Sequence, residues 1–313
     1  MAIELIRGLH NIKAKHQHCV VTIGNFDGIH RGHQGLFQLL KERACEQKAS
    51  TLVITFEPQP NEYFLPNQPV PRLTRWREKC YWLDQIGIDY LLIIPFTPMF
   101  SNLKAENFIH LILVNLLQIK QIIVGHDFHF GHNREGNIDL LKQQKKFTTE
   151  TMPSLKVEGE RVSSTRIRQA LKEGHQSLAE RLLGRPYTMM GRVGHGNKLG
   201  RQLGFPTANI AMGRKMPPVQ GIYIVRLHGI APTPLPGVAN VGIRPTIGGT
   251  RSLLEVHLFN FDRDIYGKHV TIEFCKKLRD EERYANLELL KAQIEKDAET
   301  ARAYFVKRGE LYE

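Results

Sequence analysis

Residues 19–33 read CVVTIGNFDGIHRGH, a short β-branched run that passes directly into a loop with glycines at positions 24, 28 and 32. Apolar residues then recur at three- and four-residue spacing over His33–Lys48, which is the period of a helix. A strand, a glycine-rich turn and a helix in this order predict one unit of a parallel sheet. The helix N-terminus would offer unpaired N–H groups and a positive dipole to a phosphate.

The first half of the chain repeats this alternation of strand and helix. Its candidate strands are Cys19–Gly24, Thr51–Phe56, Tyr90–Pro95 and Gln121–Gly125, and its candidate helices are His33–Lys48, Thr74–Ile86 and Lys104–Leu117. The alternation predicts a doubly wound, Rossmann-like α/β domain, in which ligands bind beyond the carboxyl ends of the strands.

After Gly184 the pattern changes. Glycine and proline separate short strand-like runs, with no helix between them, at Gly221–Leu227, Leu253–Phe259 and His269–Phe274. This pattern predicts an antiparallel barrel or sandwich. We therefore expect two domains, 1–184 and 185–313. A C-terminal helix should close the second domain with an apolar face made of Leu287, Leu290, Ile294, Ala298, Ala301 and Phe305.

The composition is that of an ordinary globular protein, with 42% hydrophobic and 24% charged residues among 313. The longest apolar stretch, Phe108 to Leu117, is about half the length that spans a bilayer. Four cysteines are scattered without paired spacing, and Glu4 precedes any apolar run. We expect a cytoplasmic protein without a membrane segment or a secretory signal. The net charge of +12 is spread over both halves and predicts two anion-binding domains.

Two histidines of the glycine-rich loop, His30 and His33, are candidates for catalysis. They can donate hydrogen bonds to phosphoryl oxygens as charge builds on a transferring phosphorus and a leaving pyrophosphate, without a covalent intermediate. The alternative is a glycine-rich turn whose histidines only cap a helix. A second candidate is the run Ser163–Arg168, where Ser164, Thr165 and Arg168 combine hydroxyls and a guanidinium at a helix start, as a triphosphate clamp would. A plain N-cap is the competing interpretation.

These segments, together with Thr55–Pro58 and Val124–Gly131, resemble the FMN adenylyltransferase module of the prokaryotic bifunctional riboflavin kinase/FAD synthetase family. The resemblance implies transition-state stabilisation by His30 and His33, and ATP phosphate contacts from the Ser164, Thr165 and Arg168 set. It also implies an adenylate pocket at Gly24, Phe26 and Gly32, and cofactor contacts from Phe56, Pro58, Asp127 and Phe128. The chain has Gln59 and His129 where the family often has histidine and arginine.

The second half carries its densest motif at Gly194–Asn209, which reads GHGNKLGRQLGFPTAN. The spacing matches neither GxGxxG nor GxxxxGK[ST], so neither a P-loop nor a protein-kinase site is predicted. A glycine-rich loop can still form an anion nest, with Lys198 or Arg201 adding charge. Thr207 and Asn209 alternate on an extended segment and offer neutral oxygens to a hard cation such as Mg²⁺. A glycine-rich barrel corner is the alternative.

Glu255 is the one carboxylate within the hydrophobic run Leu253–Phe259. A charged group among such neighbours indicates a partner or a task, so Glu255 is a candidate general base for an alcohol that attacks a γ-phosphate. A structural salt bridge to an arginine is the competing explanation.

This half resembles the riboflavin kinase domain of the same family, a small Greek-key barrel, through its GFPTAN, GVANVGIRPT and LEVHL segments. The resemblance implies Thr207 and Asn209 at Mg²⁺–ATP and Glu255 as the base that activates the terminal ribityl hydroxyl. It places Arg279 and the final helix where the family forms its flavin pocket. Tyr284 stands where phenylalanine is frequent in the family. The remaining candidates for cofactor contacts are Gly194, Gly196, Lys198, Gly200, Phe205 and Pro206.

The sequence thus predicts an enzyme that makes FMN from riboflavin and ATP, and then FAD and pyrophosphate from FMN and ATP. We expect small-molecule partners, no nucleic acid, and a monomer or weak homo-oligomer. The alternatives are the same fold with one activity retained, or a basic nucleic-acid-binding protein, which no aromatic-basic motif supports. The trio His126, His129 and His132 is not expected to bind a metal, because glycines at 125 and 131 disfavour a helix that would align the imidazoles.

Overall fold

The structure is a computed structural model that describes residues 2–68, 70–196, 199–213, 216–246 and 249–311. The chain forms two compact units. The first comprises Met1–Val70 and Thr74–Ser164, and the second comprises Pro71–Leu73 and Thr165–Glu313. The functional domain bounds 1–184 and 185–313 stay a prediction.

The first unit is built on a six-stranded sheet whose paired strands are all parallel. The strands run in the order β1-β4-β3-β2-β5-β6. Their bounds are Glu4–Arg7 (β1), Val20–Ile23 (β2), Thr51–Glu57 (β3), Tyr90–Pro95 (β4), Gln121–Gly125 (β5) and Thr148–Met152 (β6). A separate two-stranded ribbon pairs Lys156–Val157 (β7) with Glu160–Arg161 (β8). Strand β2 is buried along its whole length, as expected for the middle of a sheet covered on both faces.

Helices connect the strands of this sheet. They are Arg31–Glu46 (α1), Pro60–Phe64 (α2), Trp76–Ile86 (α3), Pro98–Ser101 (α4), Ala105–Asn107 (α5) and Ile138–Lys142 (α6). Short 3₁₀ turns lie at Leu9–Asn11, Ala14–His16 and His132–Arg134. The predicted helix Lys104–Leu117 starts as α5 and continues as a π-helix over Phe108–Leu116, where the N–H of Leu117 bonds to the carbonyl of Ile112. Two apolar clusters, one of which includes Phe37 of α1 and the other Phe108, form the core on the two faces of the sheet.

The helix Ser164–Lys172 (α7) starts at the last residue of the first unit and otherwise belongs to the second unit. The helix Gln176–Leu183 (α8) follows it, and the chain then forms a closed six-stranded barrel. The remaining elements are Thr188–Gly194 (β9), Leu199–Gln202 (α9), Thr207–Ala211 (β10), Gly221–His228 (β11), Leu235–Thr246 (β12), Gly249–Leu258 (β13), His269–Arg279 (β14) and Leu287–Val306 (α10). All barrel pairs are antiparallel, in the order β10-β13-β12-β11-β14-β9, and β9 pairs with β10 to close the barrel.

The prediction of a Rossmann-like α/β domain followed by an antiparallel barrel and a C-terminal helix is confirmed. Among the described residues, no helix lies between the predicted strand runs Gly221–Leu227, Leu253–Phe259 and His269–Phe274, and the short helix α9 lies earlier, between β9 and β10. One detail was wrong. Leu287 is 58% exposed, since the first turn of α10 stays at the surface and the apolar face starts at Leu290. In the described ranges no helix is long and apolar enough to cross a bilayer.

Candidate active sites

The loop between β2 and α1, which we call the loop site (Gly24–His33), places two imidazoles against each other. His30 is the N-cap of α1, and its Nδ1 accepts a hydrogen bond of 3.3 Å from the backbone N–H of His33. The rings of His30 and His33 stack with centroids 3.5 Å apart and planes 18° apart. His30 therefore caps α1 and also belongs to the predicted catalytic pair, so the two interpretations of this residue are compatible.

The cap fixes the tautomer of His30. A neutral imidazole that accepts at Nδ1 carries its proton on Nε2. His30 is only 6% exposed, so this N–H is held in a largely water-free position. A donor of this kind is suited to an oxygen that gains negative charge at the end of a helix, because it does not need to reorganise during the reaction.

Buried polar groups hold the loop site in place. Asp27 is 3% exposed and accepts hydrogen bonds from the backbone N–H and the hydroxyl of Thr74, at 2.9 and 3.3 Å. The same hydroxyl accepts from the backbone N–H of Gly28 at 2.9 Å. The buried ammonium of Lys79 donates to the backbone carbonyl of Asn25 and to the hydroxyl of Thr55. The loop is therefore fixed by α3 and the residues just before it.

The second unit contains a cavity of about 280 Å³, which we call the barrel pocket. It is formed by barrel strands and by the face of α10, and Glu255 is one of its lining residues. Strand register places Glu255 directly opposite Asn209 of β10 on one side and Asn240 of β12 on the other. Residues paired in this way project from the same face of a sheet. Thr207, two residues before Asn209, lines the same pocket.

The end of the barrel pocket away from Glu255 is lined by an ion pair and by apolar side chains. Arg279 donates to both oxygens of the Asp297 carboxylate of α10, the shortest contact being 2.7 Å from Nη2 to Oδ2. Burial opposes the charge of Arg279, but these hydrogen bonds outweigh it and raise the pKa of the guanidinium. Apolar side chains complete this end, namely Ile222, Val238, Leu290, Ile294 and Ala298. The pocket thus combines a polar end at Glu255 with an amphipathic end under α10.

Two glycines of the loop before β10 allow its close packing. A Cβ at Gly196 would lie 2.1 Å from Nδ2 of Asn209, and a Cβ at Gly200 would lie 2.4 Å from the carbonyl of Phe205. Phe205 in turn donates its N–H to the carbonyl of Gly200 at 2.7 Å. The carbonyl of Pro206 accepts a hydrogen bond from the imidazole of His257 at 2.9 Å, and burial lowers the pKa of His257. The predicted contact Lys198 lies outside the described residues.

Family models match both units. The model described as FAD synthetase covers residues 12–166, and the model described as riboflavin kinase covers residues 183–305. A protein of Escherichia coli strain K12, named bifunctional riboflavin kinase/FMN adenylyltransferase, is 47% identical over 97% of this chain and 98% of its own length. The chain belongs to this bifunctional family. The prediction of both activities in one chain is confirmed.

A further relative and one crystal structure are similar to this chain over nearly its whole length. The Haemophilus influenzae protein of the same name is 46% identical over 97% of this chain and 99% of its own. A crystal structure described as a macrolide-efflux protein from Streptococcus pneumoniae has 30% sequence identity and a TM-score of 0.80, and it covers 96% of this chain. The match also covers 99% of the other chain, so the likeness in fold extends over nearly all of both chains.

The remaining residues predicted for the adenylyltransferase module are divided between the two units. Ser164 donates its hydroxyl to the carbonyl of Asp27 at 2.8 Å, which ties it to the loop site. Thr165 and Arg168 lie on α7 in the second unit, where Arg168 Nε donates to the carbonyl of Pro71 at 2.8 Å. Gly32 approaches the ring of His30, and Gly24 approaches the ring of Phe26.

Aromatic residues follow two strands of the first sheet. Phe56, at the end of β3, packs against Phe96 and Phe100 with ring centroids 5.8 and 5.6 Å apart. Phe128, after β5, stacks on Phe130 at 5.5 Å. Phe26 is buried in the core against Phe37, and Pro58 is exposed. Next to Phe128, burial would raise the pKa of the Asp127 carboxyl, but the hydrogen bond and charge of Arg161 lower it.

The three histidines at 126, 129 and 132 do not converge. His126 contacts the hydroxyl of Ser154, His129 the carbonyl of Asp127 and His132 the carbonyl of Ser101. Among the described residues, no three His, Cys, Asp or Glu side chains form a cluster that could hold a metal.

Sequence reasoning missed the support of the loop site. Thr74 and Lys79 stand 41 or more positions after His33 in the chain, and neither belongs to a motif. The sequence showed only that a threonine and a lysine stand in the predicted helical stretch Thr74–Ile86. The structure shows that both are buried.

Removal of the Thr74 hydroxyl should weaken the first unit. Thr74 is 4% exposed, and in Thr74→Val the buried Asp27 carboxylate and Gly28 N–H each lose a hydrogen bond. We expect the free energy of unfolding in urea to fall by about 1–3 kcal/mol. Thr22→Val is the matched control, because the Thr22 hydroxyl is equally buried and has no hydrogen-bond partner among the described residues. An equal loss of stability in both variants would contradict the role given to Thr74.

Proposed function

We propose that the barrel pocket of this chain transfers the γ-phosphoryl group of Mg²⁺–ATP to riboflavin, and that its loop site transfers the adenylyl group of ATP to the resulting FMN. The products are FMN and ADP, and then FAD and pyrophosphate. The observation that carries the proposal is the position of Glu255: it lines a 280 Å³ cavity together with Thr207 of the phosphate-side strand and the α10 residues of the flavin side.

In the barrel pocket, Glu255 acts as the general base. It takes the proton of the terminal ribityl hydroxyl while that oxygen forms a bond to the γ-phosphorus, and the bond from this phosphorus to the ADP oxygen breaks. The amphipathic end supports the flavin ring: Ile294 and Ala298 of α10 offer apolar surface, and Arg279 is held rigidly by Asp297. Arg279 is thus a fixed donor rather than a mobile charge.

Thr207 and Asn209 fit a Mg²⁺ ion that is mainly held by ATP phosphates. Both carry neutral oxygens, both project from the same side of β10, and Asn209 lies opposite the Glu255 carboxylate. When bound, the ion neutralises charge on the phosphate oxygens. Gly194 pairs with Asn209 of β10, and Gly196 and Gly200 approach the side chains of Asn209 and Thr207, so these glycines lie close enough to the strand to contribute to an anion nest.

At the loop site, a phosphate oxygen of FMN attacks the α-phosphorus of ATP, and the bond to pyrophosphate breaks. The Nε2–H of His30 and the imidazole of His33 donate to the oxygens that gain charge, and the N-terminus of α1 adds backbone donors. Ser164, which is tied to the carbonyl of Asp27 in this loop, contacts a further phosphate of ATP. Thr165 and Arg168 are proposed as ATP phosphate contacts because the family resemblance implies that role for them. Gly24, Phe26 and Gly32 shape the adenylate pocket, Phe56, Pro58 and Phe128 lie near the flavin, and Asp127 contacts a cofactor.

Small molecules are the proposed partners, and we propose a monomer or weak homo-oligomer without a nucleic-acid ligand. We also propose a cytoplasmic location, which the four free cysteine thiols support because the cytoplasm is a reducing compartment.

Incubation with riboflavin, ATP and Mg²⁺, followed by chromatographic separation of the flavins, tests the proposal. FMN should appear first and FAD should follow. Accumulation of FMN without FAD would show that the chain retains only the riboflavin kinase activity. No flavin conversion, together with oligonucleotide binding that weakens steeply with salt, would favour the nucleic-acid alternative.

Gly196→Ala should weaken the cation site. A methyl group there would collide with the Asn209 amide, whose Oδ1 is 2.5 Å from the ideal Cβ position, and would turn the amide away. We expect the Mg²⁺ concentration for half-maximal riboflavin phosphorylation to rise by about 10- to 100-fold. Gly194→Ala is the matched comparison, because its Cβ would be 4.0 Å from the nearest atom, the Asn209 carbonyl. An equal rise in both variants would remove Asn209 from the cation site.

A further inference from the structure

One amide oxygen in the barrel pocket lacks a partner. Oδ1 of Asn240 is fully shielded from solvent and accepts no hydrogen bond from any described residue. Asn240 itself lines the barrel pocket. Buried acceptors in folded proteins are nearly always paired, so an unpaired one at a ligand cavity indicates a donor that arrives with the ligand.

The strand register locates this oxygen relative to the general base. A row of directly opposed residues crosses five neighbouring strands, in the order Asn209, Glu255, Asn240, Ile222 and Arg279. Directly opposed residues share a face, and neighbouring strands lie ~4.8 Å apart. Asn240 therefore stands one strand from Glu255, on the side away from Thr207 and Asn209, and it lies between the base and the apolar end of the pocket.

This position selects the chemistry of the donor. The phosphates and Mg²⁺ belong on the Asn209 side of Glu255, and an ionised phosphate has no proton to donate to an amide oxygen. The flavin ring belongs at the Ile222 side, under α10. The segment that joins the two is the ribityl chain, whose interior hydroxyl groups are neutral donors. One strand spacing from the base corresponds to an interior hydroxyl rather than the terminal one.

We infer that Asn240 is a specificity-determining residue for riboflavin: its Oδ1 accepts a hydrogen bond from an interior ribityl hydroxyl and so aligns the terminal hydroxyl with Glu255. The inference rests on the proposed kinase reaction in the barrel pocket. It assigns the recognition of the polyol chain to the GVANVG segment, whose residues Gly237–Gly242 lie on β12.

Asn240→Leu tests this role, because leucine has the same number and branching of side-chain heavy atoms as asparagine and no acceptor. We expect kcat/KM for riboflavin to fall by about 10- to 100-fold, the scale for a buried polar group left unpaired, while the Mg²⁺ requirement and FMN adenylylation stay unchanged. An analogue that lacks the interior hydroxyl should lose a similar factor with the unaltered protein and nothing further with the variant. Asn240→Ala serves as a second variant if leucine does not fit.

Stability separates recognition from a structural role. The ligand-free Asn240→Leu protein should unfold at the same temperature or a higher one, because the substitution removes an unpaired buried oxygen. Reduced thermal stability with unchanged kcat/KM would overturn the inference, and so would a raised Mg²⁺ requirement with unchanged discrimination between riboflavin and the analogue. Failure of the unaltered protein to phosphorylate riboflavin would instead refute the proposed function.

Discussion

Glu255→Gln is expected to lower riboflavin phosphorylation by about 10²- to 10⁴-fold, the usual contribution of a general base. Glutamine keeps the size of the side chain but cannot take the proton of the attacking hydroxyl. FMN adenylylation should be unchanged, because Glu255 lies on β13 of the barrel and the loop site belongs to the other unit. Initial rates of FMN formation from riboflavin and of FAD formation from added FMN measure the two effects separately.

Glu282→Gln is the matched control for this variant. Glu282 also lines the barrel pocket, but it is an exposed carboxylate that accepts a hydrogen bond from Tyr284. Its loss should change the rate far less than the loss of Glu255. Equal rates of phosphorylation for Glu255→Gln and the unaltered protein would remove Glu255 from the mechanism and favour a purely structural carboxylate.

His30→Ala is expected to lower FMN adenylylation by about 10²- to 10³-fold, the scale for one donor to a charged transition state. Riboflavin phosphorylation should persist. Because His30 also caps α1, alanine should in addition reduce the free energy of unfolding by about 1 kcal/mol. FAD formation from FMN and a urea titration measure the two consequences.

His30→Asn distinguishes the two roles of this histidine. Asparagine is a favourable N-cap whose side-chain oxygen can accept from the backbone N–H of His33, but it lacks the Nε2–H donor. We expect near-normal stability and a loss of adenylylation similar to that of His30→Ala. Full adenylylation in His30→Asn would show that His30 acts only as a cap.

Much of the fold could be predicted because periodicity is a local property. The bounds of Tyr90–Pro95 and Gln121–Gly125 are those observed, since both runs are β-branched, buried and flanked by clear breaks. The edge strands Glu4–Arg7 and Thr148–Met152 were missed, because strands with polar and half-buried residues lack a continuous apolar signal. The π-helix at Phe108–Leu116 was read as an α-helix, because the two differ by one residue in hydrogen-bond register and hardly in sequence pattern.

The functional residues also fall into those that the sequence could predict and those that it could not. His30, Thr207 and Glu255 stand in compact motifs, where neighbouring residues reveal their chemistry. The roles of Asn240 and Thr74 depend on contacts that form only in the folded chain. Asn240 is placed opposite Glu255 by the register of β12 and β13. Thr74 forms hydrogen bonds to Asp27, which lies 47 positions earlier in the chain. Pairing between distant segments leaves no trace in a single sequence, so these residues required the structure.

A mixture of the Glu255→Gln and His30→Asn proteins tests most directly whether the chain carries two separate reaction sites. With riboflavin, ATP and Mg²⁺, the first variant alone should leave riboflavin unchanged, and the second alone should accumulate FMN. Together they should form FAD, since FMN made in the barrel pocket of one molecule can react at the loop site of another. FAD formation from riboflavin by either variant alone, or no FMN from His30→Asn, would contradict the assignment of the two reactions to the two units.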